Sequence, residues 1–330
     1  MLPGHLSKYK IIEKIGTGSF STIYVAKNLR TGEKVAIKCV PTNKLKSSCK
    51  KLLLSEIELL QSLNHQHIIK CIDHYVSDTF IFIVLEYCMY GDLSYYLDVH
   101  ILSENEVQKL FCQLISAVQY LQNKKVMHRD IKPSNILLSE DYVLKLSDFG
   151  LAKQYQDSSE LASTICGSPL YMAPELLHQK KYSTTCDVWS LGIVLYEMLF
   201  QKVPFEANTF QELKTNIQKS IRLDSNMNHI SAPCRDLLFR ILTQKEEERI
   251  TWVELFRHPW ICQTITENVN YNSNNSNNSN TQQSKPCKQS NPISISKKHR
   301  SVHEYIVPNF LSSDEDFEFI NHSRSYTEDI

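Results

Sequence analysis

The sequence predicts an α+β fold in two unequal lobes, and three observations predict it. Short segments rich in Val, Ile and Tyr cluster ahead of Gly91-Asp92-Leu93. Long helical periodicities dominate after that point. The two kinds of segment come in blocks rather than alternating. From Tyr9 to about Cys262 the chain is dense, periodic and low in glycine, and beyond about Asn268 the composition breaks.

The elements follow in order. YKIIEKIG, STIYVAKNL and EKVAIKCV are short, β-branched and separated by turn signals such as RTGE, so they read as strands. KLLLSEIELLQSL repeats apolar residues at three- and four-residue spacing and reads as an amphipathic helix. Two more strands are expected around IKCIDHYV and FIFIVLEY. SENEVQKLFCQLISAVQYLQNK opens with Ser103 and carries Glu106 three residues on, a capping-box signature. CDVWSLGIVLYEMLF is apolar nearly all round, which predicts a buried central helix.

Bulk properties narrow the function classes. A chain of 330 residues suits one large two-lobed domain with tails, and 42% hydrophobic residues allow a sizeable core. Lys plus Arg and Asp plus Glu are both 36, so nothing argues for wholesale nucleic-acid or membrane binding. The ten cysteines are scattered singly, with no C-x-x-C pair or zinc-like His spacing, which reads as reduced thiols in a cytoplasmic compartment. No N-terminal apolar run resembles a signal peptide, and FIFIVLEY and LGIVLYEMLF are too short to span a bilayer of roughly 30 Å.

The chemistry begins at IGTGSFSTI, Ile15 to Ile23. It has the spacing of a phosphate-covering G-x-G-x-x-G loop, but Ser21 stands where the third glycine would be. Two glycines alone suit an ordinary turn between strands. Four further elements follow in order: VAIK with Lys38, HRDIKPSN from His128 to Asn135, DFG from Asp148 to Gly150, and APE from Ala173 to Glu175.

That ordered set resembles the protein-kinase family over about Tyr9 to Cys262. The resemblance implies a small β-rich N-lobe with one helix, a larger helical C-lobe, and phosphoryl transfer from ATP with Mg²⁺ to a protein substrate. Such transfer needs positioning and charge neutralisation more than covalent help. Lys38 would hold the α- and β-phosphates, with Glu56 as its ion-pair partner. Glu58 is the alternative, but helical geometry turns it about 200° away. Asn135 and Asp148 would hold Mg²⁺. Asp130 would accept the proton of the substrate hydroxyl, and Lys132 would stabilise the charge on the transferring group. Lys132 in that motif points to Ser/Thr substrates.

The glycine loop would be Ile15, Gly16, Thr17, Gly18, Ser19, Phe20, Ser21, Thr22 and Ile23. Gly16 and Gly18 permit the closest backbone approach, Ser21 fits the third position as a small residue, and Phe20 would cap the site. The adenine pocket implied by the resemblance has Ile15 and Ile23 above, Ala36 beside and Leu137 beneath. Leu85 takes the gatekeeper position, and Glu86 to Cys88 the hinge. A catalytically silent scaffold is the rival from another functional class.

Thr164 sits where activating phosphorylation is common in the family, with Arg129 as the residue to pair its phosphate. Ser158, Ser159 and Ser163 are further hydroxyls in that segment. Ser168 resembles the hydroxyl that touches the catalytic Asp. Glu175 with Arg249 resembles a buried ion pair, and Asp187 the residue that holds the catalytic-loop backbone. CGSPLYMAPE, IVLEYCMYGDLSYYL and Ser21 together resemble the autophagy-initiating (unc-51-like) kinases. Calcium/calmodulin-dependent and polo-like kinases share parts of the pattern and stay open at this point. Members of the autophagy-initiating group usually carry a long linker and a C-terminal helical domain, whereas about seventy residues follow here.

The organisation expected is an extension at 1–8, a catalytic domain at 9–262, a linker at 263–303 and an acidic tail at 304–330. NVNYNSNNSNNSN has no core-forming residues and reads as disordered linker. Its Asn/Ser bias suits an AT-rich genome, that of a lower eukaryote or a large DNA virus, which would make the compartment a host cytoplasm. Thr281 to His303 holds five Lys/Arg and no acid, while Glu304 to Ile330 holds seven acids and one Arg. In SSDEDFEFI, Phe317 and Ile320 resemble the anchors of the short motif that binds ubiquitin-like autophagy modifiers.

Overall fold

The computed structural model describes residues 6–17, 21–156, 161–162, 164, 166–219 and 229–262. The N-lobe strands are β1 (Tyr9–Thr17), β2 (Thr22–Asn28), β3 (Lys34–Pro41), β4 (Cys71–Val76) and β5 (Phe80–Glu86), with α1 (Ser47–Ser62) between β3 and β4. They form one antiparallel sheet in the order β1-β2-β3-β5-β4.

Strand β5 explains the unbroken apolar run FIFIVLEY. Successive side chains of a strand point to opposite faces. Ile81 and Ile83 join Val40 and Ile57 beneath α1. Phe82 and Val84 join Leu6, Tyr9, Val35 and Ile37 on the other face. Both faces are covered, so no alternation survives in the sequence.

The C-lobe holds α2 (Leu93–Val99), α3 (Glu104–Asn123) and two small ribbons. These are β6 (Val126–Met127) with β9 (Lys153–Gln154), and β7 (Ile136–Leu138) with β8 (Leu144–Leu146). Then come α4 (Pro174–Leu177), α5 (Thr185–Phe200), α6 (Phe210–Asn216), α7 (Ala232–Ile241) and α8 (Trp252–Phe256). The capping box at α3 forms as its sequence predicts. The Glu106 N–H donates to Ser103 Oγ, and the Ser103 N–H donates to Glu106 Oε2 at 2.8 Å. Helix α5 is buried on nearly every side from Cys186 to Tyr196 and forms the centre of the C-lobe core.

The lobes meet along two short connections. Residues 87–92 run from β5 into α2. Residues 63–70 run from α1 to β4 and lie on the C-lobe, where the Leu146 N–H donates to the His67 carbonyl and the Ile69 N–H to the Leu146 carbonyl, both at 2.9 Å. The ribbons β6–β9 and β7–β8 face this junction. They place the loops 128–135 and 147–150 at the mouth between the lobes.

Candidate active site

The loop from His128 to Asn135 joins β6 to β7, and its geometry centres on the Asp130 carboxylate. Oδ1 accepts from the Ser168 N–H and from Ser168 Oγ, both at 3.0 Å. Oδ2 accepts from Asn135 Nδ2 at 2.8 Å and lies 2.8 Å from Lys132 Nζ. Lys132 Nζ also donates to Ser168 Oγ at 2.5 Å. Each oxygen therefore has two partners, and the carboxylate has one orientation.

The loop backbone is held from below. Asp187, on α5, accepts from the His128 and Arg129 N–H groups, each at 2.8 Å. Burial keeps its carboxyl above the ordinary range, although His128, Arg129 and those two N–H donors pull it down. Arg129 has φ 66°, a left-handed conformation that a non-glycine residue keeps only when its surroundings demand it. Gly167 answers from the opposite segment. Its φ is 106°, and a Cβ there would lie 2.6 Å from the Arg129 carbonyl oxygen. Only glycine fits that approach.

The loop is tied to residues 147–150. His128 Nε2 lies 3.0 Å from the Ser147 carbonyl, and its ring meets the buried Phe149 edge-on at 4.9 Å. Asp148 has φ 59°. A Cβ on Gly150 would lie 3.4 Å from Asp148 Oδ1 and 3.5 Å from Glu56 Oε2, so these two carboxylates flank one spot.

A divalent cation has a fit here. Asn135 is buried, its Nδ2 is committed to Asp130, and its Oδ1 has no hydrogen-bond partner. A buried amide oxygen without a donor is costly, and a cation is one way to satisfy it. Asn135 Oδ1 and the Asp148 carboxylate are hard oxygen ligands of the kind Mg²⁺ takes alongside substrate phosphates. Among the described residues no cluster of three His, Cys, Asp or Glu could form a self-sufficient metal cage.

On the N-lobe side, Lys38 Nζ lies 3.9 Å from Glu56 Oε1. Glu58, on the same helix, is exposed. Burial raises the Glu56 carboxyl above its ordinary value, Lys38 opposes this and Asp148 adds to it. The register aligns the remaining pocket positions. Gly16 pairs with Ile23, Ile23 with Lys38, and Ala36 with Leu85. Thr17 pairs with Thr22, and Leu137 pairs with Lys145 on β8. Gly18, Ser19 and Phe20 lie outside the described residues, Thr17 and Ser21 border the gap, and Ile15 lies within β1. The Glu86 side chain turns away from the cleft. It accepts from the Lys70 N–H at 2.7 Å and pairs with Lys145 Nζ at 2.9 Å. Cys88 is half-buried, and its carbonyl accepts from the Gly91 N–H at 3.4 Å.

Thr164 is exposed. The Tyr182 hydroxyl donates to its carbonyl at 2.7 Å, and Arg129 Nη1 donates to the same hydroxyl at 3.3 Å. Arg129 Nε donates to the Leu151 carbonyl at 2.7 Å. Tyr182 and Lys145 were not legible in the sequence, because each acts on a residue distant in the chain. Gly167 carried a signal, a glycine between two hydroxyl-bearing stretches, but not its reason. Ser158, Ser159 and Ser163 lie outside the described residues, as do Phe317 and Ile320. Glu175 and Arg249 form a buried two-pronged pair at 2.8 and 2.9 Å.

A family model described as the protein kinase domain matches residues 9–261. The chain belongs to the protein kinase family. The kinase is similar to the serine/threonine-protein kinase ULK3 of Xenopus laevis, 41% identical over 265 residues, covering 78% of this chain and 56% of the relative. It is 38% identical to the serine/threonine-protein kinase atg1 of Dictyostelium discoideum, covering 80% of this chain and 40% of that one. It is 38% identical to the serine/threonine-protein kinase ATG1b of Arabidopsis thaliana, covering 78% and 37%. The kinase thus spans about half, or less, of these relatives' length. Among its described residues no helix is long and apolar enough to cross a membrane.

Proposed function

We propose that this chain is a serine/threonine protein kinase of the autophagy-related branch, active with Mg-ATP and switched on by phosphorylation of Thr164. The observation that carries the catalytic part is the Asp130 carboxylate, held on both oxygens by Ser168, Asn135 and Lys132. ATP supplies the γ-phosphoryl group. Asn135 and Asp148 would hold Mg²⁺, which would offset the charge developing on that group. Asp130 orients the substrate hydroxyl and takes its proton. Lys132, beside Asp130 and Ser168, offsets negative charge at the point of transfer. Lys38, oriented by Glu56, holds the remaining phosphates. Ile15, Ile23, Ala36, Leu85 and Leu137 enclose the base, and the backbone of Glu86 to Cys88 reads its edge. The complete polar set favours an active enzyme over a silent scaffold.

The regulatory reading rests on position. Thr164 is exposed, and the Arg129–Tyr182 pair meets its backbone. A phosphate on Thr164 would compete for the Arg129 guanidinium and add a charge-assisted contact. Residues 304–330 would dock a ubiquitin-like modifier through Phe317 and Ile320. The kinase would work in the cytoplasm.

One experiment tests the core. The full chain and its Lys38→Met variant are incubated with Mg-ATP and a basic protein substrate, and phosphosites are mapped by mass spectrometry. Transfer to Ser or Thr by the unaltered chain alone, with phosphate on Thr164, is expected. No transfer, even after Thr164 has been phosphorylated by another kinase, would return the chain to the scaffold reading. Binding of the ubiquitin-like modifier that survives Phe317→Ala with Ile320→Ala would dismiss the tail motif.

A further inference from the structure

An aromatic surface lies beneath the hinge and takes no part in the site above. Tyr90 stacks on Tyr142 with ring centroids 4.5 Å apart and planes 6° from parallel. Tyr96, on α2, lies 5.8 Å from Tyr142 and stacks on His100 at 4.2 Å. Helix α2 and the residues just past its end also expose Tyr95 at 51%, Val99 at 56% and Ile101 at 86%. Tyr95 and Val99 are four residues apart on α2 and share a helix face. Large side chains this open, gathered in one place, mark contact surfaces.

The surface is also acidic. Glu140 and Asp141 are exposed on the β7–β8 turn beside Tyr142. Glu106, itself flanked by Lys109, is near Tyr96. Asp141 and Tyr142 both hold left-handed φ, 59° and 57°, so the turn keeps an unfavourable backbone at the residue that stacks on Tyr90. Tyrosine faces beside carboxylates attract Lys and Arg.

The described residues end at Cys262, in a segment bonded to α3. The Ile261 carbonyl accepts from Cys112 Sγ at 3.7 Å, and the Trp260 carbonyl accepts from Gln108 Nε2 at 2.6 Å. Gln113, the next residue on α3, accepts from the Leu144 N–H at 2.8 Å, two residues from Tyr142. The exit at Cys262 is therefore linked to the aromatic turn through α3. Residues 263–284 separate that point from the basic segment, a length of chain that can span at most about 70 Å. Beyond it, residues 285–303 carry Lys285, Lys288, Lys297, Lys298 and Arg300 with Ile293, Ile295 and Val302. That segment carries positive charge to set against Glu140 and Asp141, and aliphatic residues to set against the exposed Val99 and Ile101.

We propose that residues 285–303 dock in cis on the surface formed by Tyr90, Tyr95, Tyr96, Val99, Ile101 and Tyr142, with Lys and Arg meeting Glu140, Asp141 and the tyrosine faces. Tethering sets an effective concentration of about millimolar, so a contact too weak to detect between separate molecules is occupied within one chain. The β7–β8 turn is held against residues 90 and 91: the Leu138 N–H donates to the Gly91 carbonyl, and the Tyr90 N–H donates to the Leu138 carbonyl.

The test uses the full chain with the photo-crosslinker benzoylphenylalanine at Tyr95 or, separately, at Ile101. Equal amounts of ¹⁴N and ¹⁵N chain are mixed, irradiated and mapped by mass spectrometry. The expected result is a link to residues 285–303 within one chain. Its yield falls at least fivefold in Glu140→Lys with Asp141→Asn, and also in Lys297→Glu with Lys298→Glu and Arg300→Glu. Combining the two sets recovers the yield. A melting temperature within a few degrees of the parent confirms that each variant is folded. Links to another segment, links only between differently labelled chains, no link from either position, or a yield indifferent to charge reversal would each overturn the proposal.

Discussion

The two walls of the cleft are built differently. On the C-lobe wall, Asp130 has two partners on each oxygen, its loop backbone is fastened to the buried Asp187, and His128 ties it to the segment that carries Asp148. On the N-lobe wall, Lys38 meets Glu56 at 3.9 Å, at the long end of an ion pair, and Glu56 rides on a helix with a single face on the sheet. Buried hydrogen bonds that satisfy one another resist displacement, because breaking one leaves an unpaired polar group. The Lys38–Glu56 pair is longer, 3.9 Å against 2.8 Å for Lys132–Asp130, and burial works against the Glu56 charge. The C-lobe wall is therefore the more densely bonded of the two.

The sharpest way to break this comparison is to remove that wall's centre. Asp130→Asn should lower kcat by about 10²- to 10⁴-fold, the range of general-base contributions, with nucleotide affinity changed little. Near-normal turnover would mean that the carboxylate is not the base. A second variant weakens the same wall from beneath. Glu175→Ala strands the Arg249 guanidinium, whose side chain is 0% exposed, and should cost about 3–5 kcal/mol of stability. The melting temperature should then fall by roughly 10 °C or more. A loss of one or two degrees in calorimetry would show that the Thr243, Thr185 and Gln244 carbonyls, which also accept from Arg249, satisfy it alone.

The N-lobe wall should respond in the opposite sense. Glu56→Gln is expected to reduce kcat/KM by about tenfold to a hundredfold through misplaced phosphates. It should not lower stability. Burial first, and Asp148 second, keep the Glu56 carboxyl above its ordinary value against the pull of Lys38. The folded chain then binds that proton more tightly than the unfolded chain. Ionising Glu56 therefore costs stability as pH rises from the ordinary glutamate value, about 4.3, to the raised one. At pH 7.5 the Gln variant should melt at or above the parent temperature, and its advantage should shrink as pH falls toward that ordinary value. A Gln variant that melts lower at every pH would show that the Lys38 pair outweighs burial. The smallest effect should lie at the α3 cap. Ser103→Ala should cost about 1 kcal/mol, a few degrees of melting temperature, with kcat unchanged. A change in turnover there would couple α3 to the cleft.

Much of this was legible in the chain. The capping box at Ser103 and Glu106 announced α3, because the signal is local and both partners lie within one turn. The stretch from Cys186 to Tyr196, apolar nearly all round, announced a buried helix. The spacing of VAIK, HRDIKPSN, DFG and APE announced the family and the residues to compare at the site. Spacing could not announce the partners of those residues. Lys145 on Glu86, Tyr182 between Arg129 and Thr164, and Gly167 against the Arg129 carbonyl join segments 59, 18 to 53, and 38 residues apart. Nor could it reveal the aromatic ladder, since Tyr90, Tyr96 and Tyr142 look like scattered surface tyrosines until two turns meet.

By itself the sequence determined the lobes, the order of their elements, the family, and the separation of basic and acidic charge in the last fifty residues. These depend on periodicity, capping and composition, which act over a few residues and survive in a linear reading. Only the tertiary structure decided which carboxylate of α1 faces Lys38, that the Asn135 amide leaves a buried oxygen without a donor, and that both oxygens of Asp130 are bonded while the Lys38–Glu56 pair stands at 3.9 Å. Those are properties of burial and of pairing across long loops, and both exist only once the chain has closed on itself.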